Sequence, residues 1–158
     1  MTAYQPRGLY FEDFEIGQKV VTAARTISEA DIMAFAGLSG DWNPIHVDAE
    51  YARTAMFGER VAHGLLGLSI ASGLAMQLGF LDRTVEAFTG LDWKFRAPIK
   101  IGDTIYAEAE VKEKKLAPGG AGGFVEFNVA IKNQRDERVQ RGTWMVVVKC
   151  KPKETTGS

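Results

Sequence analysis

Cysteine occurs once in the 158 residues, as Cys150, so no internal disulfide can form and nothing calls for an oxidising compartment. Neither sign of charge predominates. Nineteen Lys and Arg face 20 Asp and Glu, a net charge of −1, which removes the basic footprint of a general nucleic-acid binder. A basic-then-apolar opening is also missing: residues 1–14 mix Tyr, Pro, Arg, Glu and Asp. No signal peptide is expected, and the cytoplasm is the expected location. With 46% hydrophobic and 25% charged residues, the composition is that of a globular chain rather than a disordered one. The length suits one buried core and not two. The expected division is a single domain over residues 1–150 followed by a polar, frayed tail over 151–158.

One further absence points elsewhere. Residues 61–81 contain no Asp, Glu, Lys or Arg, a length that would span a bilayer. Eight of those 21 residues are nevertheless Gly, Ser, His or Gln, and the flanking Arg60, Asp82 and Arg83 show no positive-inside asymmetry. The segment reads as a helix enclosed by protein, with no membrane partner.

The first half of the chain reads as helical and irregular, the second half as strands. Residues 18–26 are rich in β-formers and predict a first strand. Ser28, three residues before Asp31, predicts an acidic capping box opening a short helix through Ile32, Phe35 and Ala36, which the chain leaves between Gly37 and Pro44. Asp48 predicts an N-cap for a helix over 49–54, and the uncharged helix follows from about 62 or 63.

The period then changes from 3.6 to 2. Leu91, Trp93 and Phe95 alternate with polar residues over 87–97, as do Ile105, Ala107, Ala109 and Val111 over 103–112. Val125, Phe127, Val129 and Ile131 do so over 124–132, and a fourth run covers 139–150. Four strands with one apolar face make an antiparallel sheet that must be covered. The uncharged helix is the only large apolar object available, so the pattern implies an α+β fold, a curved sheet around a buried helix. The glycine-rich stretch 118–123 lacks the Lys-Ser/Thr ending of a phosphate loop and reads as a hairpin tip.

Chemistry concentrates in residues 38–46, Leu-Ser-Gly-Asp-Trp-Asn-Pro-Ile-His. Gly40 and Pro44 keep this stretch from being helical, and a stiff bend can aim Asp41 and His46 at one water. An imidazole titrates near neutrality, and a carboxylate beside it can raise its basicity or share its proton. Taken alone, Gly-Asp-x-Asn-Pro is also ordinary turn chemistry. A second feature stands at 57–64, where Ala62-His63-Gly64 leads into the uncharged helix. A helix N-terminus presents unpaired N–H groups, and Gly64 has no Cβ to block a ligand. An oxyanion on a thioester carbonyl would be stabilised there. The alternative is that His63 caps the helix and Gly64 only permits tight packing.

The run 35–46 with Ala52 resembles, at every position, the signature of the MaoC-like (R)-specific enoyl-CoA hydratases. The resemblance continues through residues 10–17, Ala62-His63-Gly64-Leu65-Leu66, Phe95-Arg96-Ala97-Pro98 and Gly102-Asp103-Thr104. It implies the hot-dog fold and a homodimer, or an assembly of dimers, with acyl-thioester tunnels at the interface. By the same resemblance, Asp41 and His46 would activate the water that adds to C3 of a 2-enoyl-CoA and return a proton to C2. Asn43 would orient their loop, the Gly64 N–H (with His63 a further candidate) would polarise the thioester carbonyl, and Ser69 would support Asp41. For Ser69, a small core residue facing the sheet is the competing reading. The chemistry needs no metal and no cofactor, acyl-CoA being substrate. A charged acyl group would need a cation, with Arg53, Arg60 and Arg96 as the candidates. An acyl-CoA thioesterase or a non-catalytic acyl-thioester-binding module are the alternatives on this fold. Against the first stands the lack of any carboxylate in residues 61–81.

Overall fold

The computed structural model describes residues 7–153. Two short strands, β1 (Lys19–Val21) and β2 (Arg25–Thr26), precede helices α1 (Glu29–Ser39), α2 (Pro44–Val47), α3 (Ala49–Thr54) and α4 (Gly64–Gln77). Strands β3 (Val85–Phe95), β4 (Thr104–Leu116), β5 (Gly122–Lys132) and β6 (Arg138–Lys149) complete the chain. All pairings are antiparallel, in the order β1-β4-β5-β6-β3, with β2 also beside β4.

The alternation of β4 and β5 decides which face is core. Ile105, Ala107, Ala109 and Val111 are buried, as are Val125, Phe127, Val129 and Ile131, and they share one cluster with Leu66, Ala71 and Ala75 of α4. Each large apolar side chain so buried contributes about 1.5–3 kcal/mol, which holds the helix on the sheet. At 14 residues α4 is well short of the roughly 20 a bilayer requires. Among the described residues no helix is long and apolar enough to cross a membrane. The 118–123 stretch forms the β4–β5 connection, where Gly119 and Gly120 take positive φ and Gly122 and Gly123 already belong to β5.

Several details depart from the sequence reading. The predicted strand over 18–26 is split because Thr22 turns its hydroxyl inward, accepting from the Ala107 N–H at 2.9 Å and donating to the Ala23 carbonyl at 2.8 Å. A side chain that bonds backbone competes with the ladder. In β3, Leu91 and Phe95 are 47% and 53% exposed, and Trp93 alone of the three is half-buried. The strand lies at the sheet's edge and is broken by register shifts between Val85 and Ala87 and between Phe88 and Gly90. The helix α4 is not enclosed on every side either, since Leu65, Ser69, Ser72, Gly73 and Met76 form an open stripe along it. Of the expected tail, Lys151 is held, its N–H donating to Glu12 at 2.9 Å and its ammonium meeting Asp13 at 2.5 Å. Residues 154–158 lie outside the described residues.

Candidate active site

Local capping builds the segment that carries Asp41 and His46. Ser28 and Asp31 form the predicted capping box of α1. The helix runs past Gly37 to Ser39, since one glycine lowers helix propensity without ending a helix, and Gly40 closes it at φ 76°. Asp41 and Trp42 follow in irregular backbone. Residues 44–47 then form α2, contrary to the expected non-helical bend. Proline is favourable at the first helical position, where its missing N–H is not needed. Asn43 caps this turn, its Oδ1 accepting from the Ile45 N–H at 3.2 Å, and its own N–H donates to Asp41 Oδ1 at 3.2 Å. Asp48 caps α3 as predicted.

The structure brings Asp41 and His46 together. The imidazole Nε2 stands 3.9 Å from Asp41 Oδ2. His46 is 7% exposed, and its Nδ1 lies 2.7 Å from the Val61 carbonyl. A carbonyl only accepts, so Nδ1 carries the proton that bonds Val61, and Nε2 is the ring nitrogen that faces Asp41. The gap is too wide for a direct hydrogen bond. It suits one water bonded to both at about 2.8 Å, which would subtend an angle of roughly 90°. Asp41 itself is exposed, so solvent reaches this position.

His63 lies underneath. Its ring stacks on His46 at 3.8 Å between centroids and 27° between planes, and it also meets Phe35 at 4.9 Å. Its Nε2 is 2.9 Å from the Asp41 carbonyl and donates to it, leaving Nδ1 buried without a partner. His63 makes no side-chain cap to α4 and does not line the adjoining cleft. His63 does stand at the N-cap of α4, its carbonyl accepting from the Leu66 N–H at 3.0 Å, but its side chain is turned to His46 and the Asp41 carbonyl rather than to the helix or the cleft. Asp41, His46 and His63 each offer a ligand atom within 4.8 Å of the others. Each imidazole already spends one ring nitrogen on a backbone carbonyl, His46 on Val61 and His63 on Asp41.

Beside His46 opens a cleft of about 480 Å³, lined by Ile45, Phe57, Gly64, Phe95, Arg96 and Gln140 among others. Gly64 opens α4 at its edge. A methyl on Gly64 would come within 2.7 Å of the Phe95 ring, so the close approach needs glycine. Of the three candidate arginines, Arg96 lines the cleft, whereas Arg53 pairs with Glu50 at 2.6 Å and Arg60 with Glu29 at 2.7 Å. Ser69 is not brought to Asp41. It lies on the open stripe of α4, its hydroxyl donating to the Leu65 carbonyl at 2.7 Å, so it is no core residue facing the sheet either. Sequence reasoning passed over Gln140, which is buried at the back of the cleft. Its signal was a polar residue two, four and six positions from Gly142, Trp144 and Val146, on the core-facing parity of β6.

Comparison with known proteins agrees with this architecture. The family model described as MaoC like domain matches residues 13–123. The (R)-specific enoyl-CoA hydratase of Rhodospirillum rubrum is 45% identical over 103 residues, 65% of this chain and 69% of that protein. The 3-hydroxybutyryl-CoA dehydratase of Methylorubrum extorquens is 38% identical over 108 residues, 68% of this chain and 66% of that one. The chain thus spans about two thirds of the length of these curated relatives. A crystal structure from Archaeoglobus fulgius, described as a monoamine oxidase regulatory protein, superimposes with a TM-score of 0.87 at 38% identity, covering 94% of this chain and 100% of that one.

Proposed function

The chain belongs to the family of MaoC-like domains, with the hot-dog fold, and on that footing we propose that it is an (R)-specific enoyl-CoA hydratase, a hydro-lyase adding water reversibly across C2=C3 of a 2-enoyl-CoA. The observation that carries this reading is the 3.9 Å gap between His46 Nε2 and Asp41 Oδ2 beside a cleft edged by the start of α4. A water held in that gap loses a proton to Nε2 as its oxygen bonds to C3. The C2=C3 electron pair moves toward the thioester, whose oxygen gathers negative charge next to the α4 N-terminus and the Gly64 N–H. The same proton then goes to C2, directly or by way of the Asp41 carboxylate. Hydroxyl has been added at C3 and hydrogen at C2, and both side chains end as they began. His63 contributes by holding the Asp41 carbonyl and backing the His46 ring. The reaction calls on no metal or prosthetic group.

The same reading includes a homodimer. The edge strand β3 exposes Phe88, Leu91 and Phe95, and the open stripe of α4 exposes Leu65 and Met76. An unpaired apolar edge invites another sheet, and a second copy pairing along β3 would cover it. The thioesterase alternative is disfavoured because Gly64–Gln77 contains no carboxylate to act as its base.

The test is to incubate purified protein with crotonyl-CoA and with branched and dicarboxylic enoyl-CoAs, following loss of the conjugated enoyl absorbance. The expected product is the (R)-3-hydroxyacyl-CoA. Release of free CoA without hydroxyacyl product would select the thioesterase, and no turnover across the panel would leave a binding module.

A further inference from the structure

Gln140 is 2% exposed on a strand whose neighbouring core positions are Trp144, Val146 and Val148. A buried primary amide costs stability unless its polar atoms are paired. Here Oε1 accepts from the Trp93 indole N–H at 2.9 Å, and Nε2 donates to the Gly64 carbonyl at 3.0 Å. An indole nitrogen can only donate, so Trp93 decides which end of the amide is which and forces the NH₂ toward α4. The helix makes room for it: a methyl on Gly67 would lie 2.5 Å from Gln140 Nε2. Two glycines one turn apart therefore serve one contact, Gly64 by offering its carbonyl and Gly67 by letting the amide reach it.

Glycine is the residue whose backbone torsions are least restrained, and Gly64 is the first residue of α4, where the N–H groups have no intrahelical acceptor. We propose that Gln140, oriented by Trp93, is a positioning residue that anchors the Gly64 carbonyl and, by restraining the two Gly64 torsions, steadies the N–H on the other side of that residue toward the carbonyl oxygen of a bound thioester. The proposal rests on the hydratase reading and adds to it a residue on the sheet that controls the electrophilic side of the site, separate from the Asp41–His46 side.

Three variants test it: Gln140→Leu removes both bonds, Gln140→Glu keeps the acceptor for Trp93 but sets a carboxylate against the Gly64 carbonyl, and Trp93→Phe frees the amide to turn over. Hydration kinetics are measured with whichever enoyl-CoA the wild-type protein turns over. Alongside them, the absorbance of a bound dimethylaminocinnamoyl-CoA is recorded, since its band moves to longer wavelength as its carbonyl is polarised. Gln140→Leu and Gln140→Glu are expected to lower kcat by about ten- to a hundredfold, somewhat less than deletion of an oxyanion donor itself. KM should change less than kcat, the pH–rate profile should keep its shape, and the bound chromophore should shift less. Trp93→Phe should act in the same direction more weakly, and adding it to Gln140→Leu should cost nothing further. It is also the variant to rely on should Gln140→Leu fail to fold, because it leaves the amide in place. A wild type that hydrates substrate, with variants that match its kcat and its chromophore shift, overturns the role of Gln140 alone. A wild type that neither hydrates nor shifts the chromophore overturns the hydratase reading itself.

Discussion

Gly67→Ala tests the packing under the site with the least ambiguity. A methyl at Gly67 would stand 2.5 Å from Gln140 Nε2 and 2.7 Å from Ile99 Cδ1, both closer than non-bonded atoms tolerate. Ile99 and Gln140 are 3% and 2% exposed, and the methyl must displace one or both, the amide being the nearer. Overpacking of this kind costs about 1–3 kcal/mol, and each hydrogen bond lost from the amide adds about 1 kcal/mol. Replacing a helical glycine by alanine returns about 1 kcal/mol. The net expectation is a loss of about 2 kcal/mol, which for a chain of this size lowers Tm by roughly 4–8 °C. Gly37→Ala in α1 is the matched control: its methyl would meet nothing nearer than the Trp42 ring at 4.0 Å, so propensity alone should raise stability by up to about 1 kcal/mol. Urea and thermal unfolding of both variants give the comparison. A Gly67→Ala protein that melts at or above wild type would refute the claim that this glycine exists to admit the amide.

Asp41→Asn and His46→Ala should each lower kcat by roughly two to four orders of magnitude, the usual scale for acid–base groups, with unchanged circular dichroism; near-wild-type activity in either would defeat the mechanism. Burial pushes the Asp31 carboxyl up, but the Ser28 N–H and hydroxyl and the Arg25 guanidinium outweigh it and hold it below its ordinary 3.8. A depressed folded-state pKa stabilises above the unfolded value and loses that increment as pH falls through the folded one. Asp31→Asn should therefore cost about 1 kcal/mol at pH 7, a difference from wild type that shrinks in urea titrations carried out near pH 3. Leu91→Lys, on the exposed edge of β3, should turn a dimer seen by sedimentation into a monomer, and a wild-type monomer would contradict the proposed assembly.

Where one residue's surroundings are local, the sequence was readable. Ser28, Asp31 and Asp48 bond backbone within their own turns, and the alternations of β4 and β5 report a face covered along its whole length. Strand β3 was harder because its apolar residues face whatever lies beyond the edge, and two register shifts break the period of 2 that alternation relies on. Pro44 bars helical backbone at the preceding residue, yet the same ring suits the start of α2. The Asp41–His46 pairing was accessible through spacing and resemblance. The contacts of His63 and Gln140 were not, since they are made with partners 22 and 76 residues away.

Three bonds tie the segment of Asp41 and His46 to the stretch of chain before α4: Val61 N–H to the Ile45 carbonyl, His46 to the Val61 carbonyl, and His63 to the Asp41 carbonyl. None of them passes through the sheet. Met56, Phe57 and Phe95, which wall the cleft beside Ile45, His46 and Val61, take no part in these three bonds, so the hold on Asp41 and His46 does not depend on which side chains those three positions carry.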